Sequence, residues 1–190
     1  MSDHPLATRS GIPDELAYLR ATYAREGWRT HANYGQLADF WLHVHDSLRG
    51  EGKALAQATA DYREGQMDLA AYHRQFAPNL SHFLQHLNAH HQIEDRHYFP
   101  RFQALDPRMV AGFALLDRDH HLIHEALVAS AESANRLIAT FGGDNDDGRR
   151  AADDYAASAD RLLALLMRHL ADEEELVIPA LLHHGERSVD

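Results

Sequence analysis

The sequence predicts an all-α protein, an antiparallel up-down-up-down four-helix bundle preceded by a short N-terminal helix. Three observations predict it. Apolar residues recur at three-and-four spacing over four long stretches. Short alternating runs rich in β-branched residues, the mark of strands, are essentially absent. A group of residues also returns at one constant offset: His90, Glu94 and Pro100 recur as His169, Glu173 and Pro179, and Val44-His45-Asp46-Ser47-Leu48 recurs as Ile123-His124-Glu125-Ala126-Leu127. A helix pair repeated once is what such a bundle shows along its chain.

Residues 1–12 carry no helical pattern. Pro13-Asp14-Glu15 opens the short helix, because Pro suits the first helical position and acidic residues suit its positive end, and the helix is expected to end near Gly27. The first long helix spans about 31–63, with Leu37, Trp41, Val44, His45, Leu48 and Leu55 on one face. Gly65 breaks the pattern. The second spans about 67–102, with Phe83, Leu87, His90 and Glu94 on its inner line, and Pro78 is expected to kink or break it. Asp106-Pro107 opens the third, in which Phe113, Leu116, His120, His124, Leu127 and Ala131 form one seam to about residue 141. Residues 142–148, rich in Gly and Asp, read as a loop. The fourth helix spans about 149–183, with Leu162, Leu166, His169, Glu173, Leu176 and Ala180 inward. The expected organisation is an N-terminal extension over 1–30, the bundle over 31–184 and a disordered tail over 185–190.

The chain has 190 residues, 45% of them hydrophobic, enough for one sizeable core and one domain. Eighteen basic residues stand against 29 acidic ones, a formal charge of −11, which argues against nucleic acid or an anionic membrane as partner. No stretch resembles a secretion signal or a membrane span, so the expected location is the cytoplasm. Cysteine is absent, excluding thiolate nucleophiles, disulfides and sulfur-ligated metal sites. Sixteen histidines are the anomaly of the composition, and any metal must be held by nitrogen and oxygen.

His-x-x-x-Glu occurs three times, as His90/Glu94, His121/Glu125 and His169/Glu173. Residues four apart on a helix sit one turn from each other and can point at a common ion. The first and third pairs lie on apolar faces, where an ionised Glu is costly unless paired or metal-bound, and the second falls off its seam. Taken singly, each inward histidine is better read as a hydrogen-bonded core residue. Five imidazoles and two carboxylates in one core would leave many polar groups unsatisfied, and this favours metal. His82 and His86 continue the line of His90 by fours and read as surface groups or as groups that orient a ligand. His91 reads as solvated.

The order His45 on the first helix, His90/Glu94 on the second, His120/His124 on the third and His169/Glu173 on the fourth resembles the hemerythrin family, including its HHE cation-binding relatives. His-His-x-x-Glu-Asp-x-x-x-Phe-Pro, from His90 to Pro100, is the most specific part, and the resemblance covers about 31–184. It implies two iron ions in a non-heme centre: Glu94 and Glu173 bridge them, His120, His124 and His169 hold one, and His45 and His90 hold the other, which keeps an open position. It departs from the best-known oxygen carriers, whose last carboxylate is an Asp five residues after its His; here Glu173 stands at four and Glu174, the fallback, at five. The implied function is binding of dioxygen or nitric oxide. The alternative is a di-iron oxidoreductase consuming peroxide or nitric oxide, so whether the chain is an enzyme stays open, as does any redox partner.

Overall fold

The computed structural model describes residues 4–141 and 145–189. Five α-helices make up most of them: α1 Gln36–Arg63, α2 Leu69–Ile93, α3 Phe99–Leu105, α4 Val110–Ala139 and α5 Asn145–His184. No strand occurs among the described residues, and none of these helices is long and apolar enough to cross a membrane. The fold is all-α.

The chain divides into two compact units, Met1–Asp46 with His90–His121 and Leu166–Asp190, and Ser47–Ala89 with Leu122–Leu165. Helices α1 and α4 begin in the first and end in the second, while α2 and α5 run the other way, the alternation of an up-down-up-down chain. In the second unit Tyr72 is fully buried, its ring 4.7 Å from Tyr62 and 4.8 Å from Phe76, while Phe76 meets Tyr155 edge-on at 4.8 Å. The Tyr72 hydroxyl shares a 2.9 Å hydrogen bond with Thr59, which satisfies that polar atom inside the aromatic core. In the first unit Phe102 stacks on Phe113 with centroids 5.0 Å apart, and Trp41 meets Tyr98 edge-on at 4.9 Å.

Several boundaries differ from the sequence reading. Residues 13–24 form successive turns rather than a helix, and the short N-terminal helix is a 3-10 helix over Arg25–Thr30. The buried residues of this stretch are Ile12, Ala17, Leu19 and Trp28, a spacing no single helix face presents, so packing overrides local propensity. Helix α2 continues through Pro78 instead of breaking. Of the predicted loop 142–148, residues 145–148 belong to α5, and 142–144 lie outside the described residues. Of the tail expected to be disordered, residues 185–189 are ordered and 190 lies outside the described residues: Glu186–Ser188 is a 3-10 turn, Val189 is buried, and the Arg101 guanidinium donates to the Val189 carbonyl at 2.6 Å. Glu186 also accepts from the Ala38 backbone N–H at 2.8 Å, capping α1 from a distance. A Cβ at position 35 would meet the Glu186 carboxylate, which would have to shift away from the start of α1.

The N-terminal extension is anchored by one buried cation. Arg9 donates to Asp172 at 2.7 Å and to Asp119 through both terminal nitrogens, one at 2.9 Å, and the three side chains are 4%, 2% and 3% exposed. Removing one partner of such a group leaves buried charge uncompensated. Arg9→Met is therefore expected to destabilise the protein by about 3–5 kcal/mol, read from urea unfolding, whereas Arg29→Met, at a pair 66% and 59% exposed, should leave the unfolding midpoint nearly unmoved.

Candidate metal centre

The site lies wholly within the first unit. Helix α1 supplies His45, which interrupts an apolar face and is fully buried. Helix α2 supplies His90 and His91 in its last turn, and a five-residue π-helix, Glu94–Tyr98, follows at once. That wider turn puts the next buried residue after Glu94 at Phe99, five positions on, where its ring stacks on His120 with centroids 5.3 Å apart. Bulges of this kind recur at functional sites because they re-aim one face of a helix. Helix α4 supplies His120, and α5 supplies His169 and Glu173, both fully buried.

Two groups of donor atoms converge, His45, His90, Glu94 and Glu173 in one and His91, His120 and His169 in the other, with the atoms of each within 4.8 Å of one another. Glu94 reaches His90 with one oxygen at 3.1 Å and His120 with the other at 3.6 Å. Glu173 reaches His45 at 3.6 Å with one oxygen and His169 at 3.2 Å with the other. Few of these contacts are aligned as hydrogen bonds. His45 Nε2, His90 Nε2, His91 Nε2, both oxygens of Glu94 and Glu173 Oε2 are buried without a hydrogen-bond partner. Buried polar atoms are nearly always paired, so orphans converging on one place mark donors that fit a cation.

Behind these groups stand residues that fix their orientation. Trp41 donates its indole N–H to Glu173 at 2.7 Å, leaving the other oxygen to face His169. Glu174 lies 3.1 Å from His45 Nδ1 and also pairs with Arg25. Asp95 lies 2.6 Å from His120 Nδ1, and Asp119, held by Arg9, lies 3.6 Å from His169 Nδ1. A carboxylate on the far nitrogen of an imidazole sets its tautomer and raises its basicity as a ligand.

Two histidines lie elsewhere than the sequence reading put them. His124 is exposed and joins none of the converging groups, while His91, expected to be solvated, is 7% exposed and stacks on His120 at 4.0 Å. The reason is helical phase. Four-residue steps drift about 40° each, so a line from Leu116 to His120 to His124 leaves the inner face, and the buried residue after His120 is Ile123. At the end of α2, His90 and His91 lie three and four residues past the buried Leu87 and straddle the inner line. The i+4 step from Leu87 was the available signal for His91. Arg9, Arg25, Asp95 and Asp119 were also missed, since nothing local marks a charged side chain that acts through another.

Burial splits the titration of the group. Desolvation drives His90 down to about 3, His91 well below the ordinary imidazole value, and His120 below it. Burial opposes charge on His45 and His169 too, but Glu173 with Glu174 outweighs it at His45, and Asp119 with Glu173 lifts His169 to about 9. Burial, with the neighbouring Glu173, pushes Glu94 well above the carboxylate range, and His45 and His169 hold Glu173 well below it.

Two predictions follow from phase and charge. His91→Ala should lower metal content by at least half, whereas His124→Ala should leave it unchanged, measured by elemental analysis of the purified variants. A cation must displace the protons on His45, His169 and Glu94, so uptake should release protons. Because the His169 proton competes until pH passes about 9, apparent affinity should rise with pH between 6.5 and that value, measured by competition with a chelator.

The comparison with known proteins agrees with this chemistry. A family model, the hemerythrin HHE cation-binding domain, matches residues 36–181, a span that holds all seven converging residues and excludes Arg9 and Arg25. No curated protein and no solved structure gives a match. With more than half of its length matched and two His/Glu donor groups in its core, the chain belongs to the hemerythrin HHE cation-binding domain family.

Proposed function

We propose that the chain is a non-heme di-iron protein that binds dioxygen, or nitric oxide, at the buried His/Glu centre. One observation carries the reading: each of two buried carboxylates turns one oxygen toward each donor group. In this reading Glu94 and Glu173 would be shared between two ions, His91, His120 and His169 would hold one, and His45 and His90 would hold the other. The number and kind of donors match those implied by the resemblance, five imidazoles and two carboxylates, with His91 in the place expected of His124. Nitrogen and oxygen donors without sulfur suit iron, and iron is typical of the family.

When bound, a ferrous pair supplies two reducing equivalents and one open coordination position on the ion with fewer imidazoles. The protein's own residues do the rest. All seven side chains are 9% exposed or less, so the donors are shielded from bulk water and a larger substrate would be kept from them. Trp41 and Glu174 fix Glu173 and His45, and Asp95 fixes His120, which would hold these donors in place through a change of ligand, while Asp119 stands 3.6 Å from His169 Nδ1.

Protein purified from iron-replete cells should hold close to two irons per chain. After anaerobic reduction, oxygen should produce visible absorption bands that vanish under vacuum. One tightly bound zinc with no iron uptake would overturn the di-iron reading. Sustained consumption of peroxide or nitric oxide well above that of free iron would replace ligand binding with the oxidoreductase alternative.

A further inference from the structure

We propose that Glu51, His82 and His86 form a second cation site, on the surface of the unit that does not contain the buried centre, taking one divalent transition ion of zinc's class. His82 and His86 are one turn apart on α2, and Glu51 lies on α1. His86 Nδ1 is 3.0 Å and His82 Nε2 3.5 Å from the same oxygen of Glu51, and the three ligand atoms lie within 4.8 Å of one another. An ion held tetrahedrally at about 2.0–2.2 Å separates its donor atoms by about 3.4 Å, so the three groups already stand near ligand spacing.

The hydrogen bonding of Glu51 favours this over a plain ion pair. Ser47 donates to Glu51 Oε1 at 2.9 Å, so one oxygen faces a hydroxyl and two imidazoles while Oε2 is buried with no partner. A pair between Glu51 and His86 explains one imidazole and leaves the convergence of His82, 71% exposed and free to turn to water, without a cause. A cation accounts for both, since it takes a lone pair from each imidazole and can engage either carboxylate oxygen. Two imidazoles and one carboxylate suit zinc, copper, nickel or ferrous iron, whereas calcium and magnesium want more oxygen donors. Three protein ligands beside an exposed histidine leave the remaining position to solvent, the arrangement of an exchangeable ion rather than a sealed structural one. Because the ligands come from α1 and α2, the ion would tie the two helices together and stabilise the fold in proportion to its occupancy.

The test uses zinc as the probe and protein carrying its resident metal. In equilibrium dialysis with elemental analysis, the wild type should take up one zinc per chain in the micromolar range without losing resident metal. His82→Gln and His86→Gln should each weaken that uptake at least tenfold, and the double variant should abolish it. Zinc should raise the thermal midpoint of the wild type by several degrees and leave the double variant unmoved, and unchanged circular dichroism of the variants would exclude misfolding as the cause. Equal zinc uptake by the wild type and the double variant, no uptake by the wild type, or uptake matched by loss of resident metal would each overturn the proposal.

Discussion

Burying Glu94 and Glu173 side by side sets the problem that the rest of the site answers. Transferring a carboxylate from water into a protein interior costs several kcal/mol even after relaxation, and two such groups repel if both are ionised. Glu94 is driven toward its protonated form and Glu173 is held ionised by His45 and His169. That division leaves buried atoms without hydrogen-bond partners, a high-energy arrangement for side chains alone. Cations between the two donor groups would relieve it, because each carboxylate already turns one oxygen to each side.

This arrangement shapes the surrounding elements. The π-helix after Glu94 widens α2 where it must present His90, His91 and Glu94 in succession and then return Phe99 to the core. Residues 4–30, outside the matched family span, reach in with Arg9 and Arg25 to neutralise Asp119, Asp172 and Glu174. Without those guanidiniums the acidic stretch of α5, Asp172 to Glu174, would bring several buried negative charges close together. The N-terminal extension thus acts as the counter-charge to a helix rich in buried carboxylates.

Much of this was legible along the chain. The hydrophobic period placed four long helices, and the repeat of His90/Glu94 as His169/Glu173 selected four residues that the structure brings together. Repetition misled at His124, because it copies sequence, while facing depends on accumulated helical phase; His45 and His124 match in the repeat, yet one is buried and the other exposed. The π-helix was not legible because a one-residue insertion in hydrogen-bond register leaves no mark on composition. The roles of Arg9 and Arg25 were not legible because they depend on contacts with residues far away in the chain.

The central claim is that Glu94 and Glu173 bridge two ions, and the distance between those ions tests it most directly. X-ray absorption on the iron-loaded protein should show an iron–iron vector on the order of 3.5–4 Å, with a first shell of nitrogen and oxygen only. Glu173→Gln should abolish the iron–iron feature while iron–nitrogen scattering persists. Two irons per chain with no iron–iron vector, or a vector unchanged in Glu173→Gln, would contradict the account.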